Sequence, residues 1–121
     1  MQFNLHASKM ISHRPYEMRE TIQLPSICIP RVFKTVSKGD VYAAFQSILG
    51  ENSVERVDMV YKKQGLNQYQ RVFVHFRPLF KTPVSDMMYS RLSNGEDVKL
   101  VYQLPYFWKF TVSRVPKPIR D

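Results

Sequence analysis

The chain predicts a small α+β domain in the order βαββαβ, with one antiparallel sheet and two helices on one of its faces. Three observations carry that expectation. Gln70–Phe76 alternates strictly, with Val72, Val74 and Phe76 on one side and Arg71, Phe73 and His75 on the other. A period of two is the mark of a half-buried strand. Val41, Ala44, Phe45, Ile48 and Leu49 recur at i, i+3, i+4, i+7 and i+8, which is one face of a helix. A polar stretch with Gly65 and Asn67 separates two extended runs, which is the pattern of a hairpin.

Taken in order, residues 1–25 show no clean period and read as an N-terminal extension or arm. Its three bases and two acids, among them Lys9, Arg14, Glu17 and Glu20, give no decided charge. Residues 26–114 hold the domain. Ser26–Phe33 is its first strand, and Pro30, which has no ladder donor, belongs at that strand's end or at a bulge. Ser37 caps the first helix, with Asp40 three residues on, and Gly50 closes it. Val54–Lys62 follows as a strand with Val57 and Met59 inward and Asp58 and Val60 outward. Thr82 then caps a second helix with Pro83 at its first position. Val84, Met87, Met88 and Leu92 form the stripe of that helix, and Asn94-Gly95 ends it. Val98–Gln103 is a small extra strand, split by Leu104-Pro105 from a last strand over Phe107–Arg114. Residues 115–121 form a short tail.

A chain of 121 residues with 44% hydrophobic content suits one folded domain. Eighteen Lys and Arg against ten Asp and Glu leave a net charge of +8, which favours an anionic partner. The bland alternative is a set of solvated Lys-rich faces. Cys28 is the only cysteine, so no disulfide framework or thiolate cluster is expected, in keeping with a reducing compartment. No apolar run has the length to span a bilayer, so no membrane insertion is expected. No apolar signal core is expected at the N-terminus.

The element order is the split βαβ arrangement of a ferredoxin-like sandwich, with a four-stranded antiparallel sheet whose second face is open. In order and spacing it resembles the RNA recognition motif (RRM). The last four positions of the RNP1 pattern are met by Phe73-Val74-His75-Phe76, while Tyr69-Gln70-Arg71-Val72 depart from it and place Arg71 where an aromatic is expected. Ile27-Cys28-Ile29-Pro30-Arg31-Val32 resembles RNP2 in its apolar positions, with Cys28 at the stacking position. Ile29-Pro30-Arg31-Val32-Phe33, Val57-Asp58-Met59-Val60, Arg71–Phe76 and Pro105-Tyr106-Phe107-Trp108-Lys109 are similar to the small RRM-like proteins of large nucleocytoplasmic DNA viruses. That likeness implies an intracellular location (host cytoplasm or nucleus) or the virion, and no secretion.

The resemblance implies binding of single-stranded RNA or DNA on the open sheet face. Arg71, Phe73, His75, Lys62, Lys109, Cys28 and Arg31 are the candidate contacts. Phe73 would stack a base, Arg71 would stack or meet phosphate, and the remaining polar groups would add weak, salt-sensitive contacts. Asp58 on the same face opposes phosphate. The alternative is a protein-interaction or virion structural module. There, Phe73 is covered by the arm, the tail, a partner or a second copy, and Tyr106, Phe107 and Trp108 serve core and edge packing. No enzyme, cofactor or metal is expected. His6, His13 and His75 lack ligand spacing, the glycines form no phosphate-cradling loop, and the carboxylates are dispersed.

Overall fold

A computed structural model of the chain describes residues 20–115. The expected arm lies outside these residues as far as residue 19, and the expected tail from residue 116 onwards. The elements are β1 (Thr21–Ile22), β2 (Ile27–Phe33), α1 (Lys38–Leu49), β3 (Val54–Gln64), β4 (Asn67–Phe76), β5 (Leu79–Phe80), α2 (Pro83–Ser93), β6 (Val98–Gln103) and β7 (Tyr106–Val112). Five strands form one antiparallel sheet in the order β3-β4-β2-β7-β6, and β1 pairs with β5 in a second, two-stranded sheet.

The expected alternation sorts the large sheet into two faces. Ile27, Ile29, Val57, Val72, Val74, Phe76, Leu100, Trp108 and Phe110 are buried on one of them. They share a core with Val41, Phe45 and Leu49 of α1 and Val84, Met88 and Leu92 of α2, so both helices cover the same face. Phe45 is the hub. Its ring lies 5.8 Å from Phe76, 5.4 Å from Phe110 and 6.4 Å from Trp108.

Local chemistry fixes the element ends. Ser37 accepts from the Asp40 amide and Asp40 accepts from the Ser37 amide, a reciprocal capping box. Thr82 and Ser85 make the same exchange ahead of α2, with Pro83 in the first turn. After Asn94, the Gly95 amide donates to the Leu92 carbonyl and the Glu96 amide to the Arg91 carbonyl. That double closure needs a left-handed residue, and Gly95 supplies φ of 77°.

Four features differ from expectation. The extra strand β6 joins the main sheet as its edge, giving five strands, because Gln103 pairs with Tyr106 across the short Leu104-Pro105 turn. The β3–β4 hairpin is longer than its apolar pattern. Gln64 pairs with Asn67 and leaves Gly65-Leu66 as a two-residue turn, so the polar stretch is strand lying beyond the core. The boundary expected at residue 26 falls inside the fold: Thr21 and Ile22 pair with Phe80 and Leu79, and Leu24 is buried. Arg77–Lys81, expected as a lead into α2, includes the partner strand β5. Pro30 sits as expected at a bulge, between the Ile29–Val72 and Val32–Gln70 pairs of β2 and β4.

Candidate nucleic-acid interface

The face of the sheet turned away from the helices carries the predicted site residues, and the register sets them in rows. Asp58 of β3, Phe73 of β4, Cys28 of β2 and Thr111 of β7 lie side by side across four strands. Val60 and Arg71 form the next row, where the bulge places Pro30 and Arg31 opposite Arg71. Lys62, Tyr69 and Phe33 make a third. Lys109 pairs with Lys99 towards the β6 edge, and Phe107 with Val101.

Six of the seven predicted contacts keep at least partial solvent access. Phe73, Arg71, Lys62 and Cys28 are half-buried, while Arg31 and Lys109 are exposed. The Arg31 guanidinium sits 4.2 Å from the centre of the Tyr69 ring, a cation–π contact. Lys109 makes a long, exposed ion pair with Asp97 at 3.8 Å, of the kind that contributes little. No ion pair is seen for Arg31, Arg71 or Lys62 among the described residues. Burial pushes the Cys28 thiol up, and the Arg71 charge offsets only part of that. Cys28 is therefore a neutral thiol beside Phe73.

His75 is a different matter. It sits on this face by alternation, yet only 2% of it is exposed. Ser26 Oγ lies 2.6 Å from His75 Nδ1 and Asp58 Oδ2 lies 3.1 Å from Nε2. In the neutral ring Nε2–H donates to the carboxylate and Nδ1 accepts from the hydroxyl, so both nitrogens are occupied. Its expected place among the accessible contacts does not hold, because two residues distant in the chain close over it. Arg56 Nε then donates to Asp58 Oδ1 at 2.7 Å, so the carboxylate expected to oppose phosphate is paired. Arg56 was missed although its signal was present. Residues two apart in a strand share a face, and Arg56 and Asp58 are two apart.

Burial works to raise the Asp58 carboxyl, but hydrogen bonds and charge from Arg56, then from His75, outweigh it and hold the group below its ordinary value. A carboxyl depressed by folding contributes stability that is present above its unfolded value. That contribution is lost as pH falls through the folded one. Wild type is therefore expected to unfold at higher temperature than Asp58→Asn near neutral pH. The gap should narrow as melting is repeated at progressively lower pH below the ordinary aspartate range.

The aromatic residues of β7 divide. Trp108 is core, 3% exposed, as expected, while Tyr106 and Phe107 are 51% and 45% exposed. Phe33, at the end of β2, is 57% exposed and meets Tyr106 edge to face at 5.8 Å. No local pattern brings these rings together, since β2 and β7 are separated by most of the domain. Among the described residues there is no group of three or more His, Cys, Asp or Glu able to hold a metal ion, and no helix is long and apolar enough to cross a membrane. Comparison with protein-family models, with curated proteins and with solved structures found no match for this chain.

Proposed function

We propose that the chain is an RRM-like domain of ferredoxin-like topology that binds single-stranded RNA or DNA on the face opposite its helices. One observation carries the reading. The two strands that resemble RNP2 and RNP1 lie next to each other at the middle of the sheet, with Cys28 directly beside Phe73 and Arg71 one row away. Phe73 provides one stacking ring. Arg71 one row away and Lys62 two rows away on the same face provide positive charge, and the net charge of +8 extends the attraction beyond the contact itself.

A labelled single-stranded oligonucleotide, titrated at low and moderate salt, tests the reading. Binding is expected to weaken linearly in log K against log salt. Phe73→Ala should cost about 1–3 kcal/mol of binding, and Arg71→Ala should reduce both the affinity and the salt slope. Unchanged binding in both variants would sink the sheet-face mechanism. It would favour the protein-contact reading, in which the same face meets a partner or a second copy.

A further inference from the structure

Beyond the sheet centre, a cleft of about 250 Å³ opens where the ends of β2 and β4 meet the β6–β7 turn. Arg31, Phe33, Tyr69, Tyr102, Tyr106 and Phe107 line it. Its aromatic walls are braced from behind. Tyr102 stacks on Trp108 at 4.3 Å and on Tyr106 at 6.5 Å, so the exposed Tyr106 ring stands on the core. Val32, Asn67 and Gln68 complete the lining, which among the described residues includes no carboxylate.

The chemistry of that lining is selective. Several rings offer flat apolar surface to a π system, and two side-chain amides offer both donors and acceptors to the edge of a heterocycle. The cations stand at the rim. Arg31 lies over Tyr69, Lys99 sits 4.8 Å from the Phe107 ring centre, and Lys34 is held on Gln68 at 2.9 Å. Aromatic walls, amide edges and a cationic rim with no lining carboxylate complement a planar base bearing a phosphate. The volume is below the range of roughly 300–1,000 Å³ usual for drug-sized ligands, which suits a single nucleotide. The cleft is also continuous with the sheet face, because Arg31 stands opposite Arg71 at the bulge.

We propose that this cleft is a nucleotide pocket that takes one unstacked base of the bound single strand against Phe33, Tyr106 and Phe107, with its phosphate at Arg31. The inference rests on the reading of the domain as a single-strand nucleic-acid binder and supplies the stacking surface that Cys28 does not.

The test compares Phe107→Ala and Arg31→Ala in the cleft with Phe73→Ala at the sheet centre. The probe is a fluorescent single-stranded homopolymer, with adenosine monophosphate as a one-nucleotide probe followed by NMR shifts. Arg31 and Phe107 are themselves exposed, so both variants should melt close to wild type. Each is expected to bind the homopolymer about 5- to 150-fold more weakly, and the mononucleotide should shift the Phe33, Tyr106 and Phe107 signals ahead of Phe73. Wild-type affinity in both cleft variants, with loss in Phe73→Ala, overturns the pocket and leaves the sheet reading intact. Loss in the cleft variants alone keeps the pocket and removes the sheet mechanism. No homopolymer binding by wild type at any salt overturns both. Self-association abolished by Phe107→Ala, with nucleotide binding unchanged, would make the cleft a protein contact and overturn the inference.

Discussion

Phe45→Ala is expected to lower the free energy of unfolding by about 3–5 kcal/mol, the range seen for large aromatic truncations in protein cores. The residue has no exposed surface, and its ring touches β4 through Phe76 and β7 through Trp108 and Phe110. Those strands lie on opposite sides of β2, so one side chain ties α1 across the middle of the sheet. The cavity left behind could be closed only by moving a helix whose first turn is held by the Ser37–Asp40 box. Against a typical domain stability of about 5–15 kcal/mol, the loss is a large share of the total. Urea titration followed by circular dichroism should show the midpoint falling with little change in slope. A shift corresponding to less than about 1 kcal/mol, the size of an ordinary point mutation, would contradict the placement of Phe45 at the hub.

His75→Ala is expected to cost about 1–3 kcal/mol through unsatisfied partners, with a further penalty for the space left in a nearly inaccessible site. Removing the ring frees the Ser26 hydroxyl and leaves Asp58 with Arg56 alone. What separates this prediction from a binding role is the second measurement. Oligonucleotide affinity per folded molecule should stay near wild type, while Phe73→Ala should show the reverse, with weakened binding and a smaller loss of stability. Ser26, His75 and Asp58 are also a hydroxyl, an imidazole and a carboxylate in a row, the residue types of a nucleophilic triad. We propose that they close the sheet and perform no catalysis, and labelling of Ser26 by a fluorophosphonate probe would contradict that.

The contrast between Phe73 and His75 shows what the sequence makes legible. Alternation in Gln70–Phe76 assigns a direction to each side chain, and the inward set of Val72, Val74 and Phe76 is buried as expected. Direction is not depth. Whether an outward residue meets water depends on what lies beside it, and for His75 those neighbours are 49 and 17 positions away. The helices were readable for the opposite reason, because caps and stripes are local and Ser37, Thr82 and Gly95 act within a few residues. Two-residue strands such as β1 and β5 have no period to detect. The cleft was illegible because its walls come from β2, β4 and the β6–β7 hairpin, and each aromatic by itself reads as packing.

The unequal reach of the β3–β4 hairpin sets up a gradient of opening along one pair of strands. At Val72 and Val74 the ladder lies over the core, so those amides are expected to exchange with solvent only when the whole domain unfolds. Towards Gly65-Leu66 the rungs have little apolar burial beneath them, and Leu66 is fully exposed, so local opening of the tip is expected to exchange Asn67 and Gln68 while the domain stays folded. Asn67, Gln68 and Tyr69 are also one wall of the cleft. A ligand seated there would have to still that fraying end, and hydrogen exchange would record its arrival as protection beginning where the hairpin is loosest.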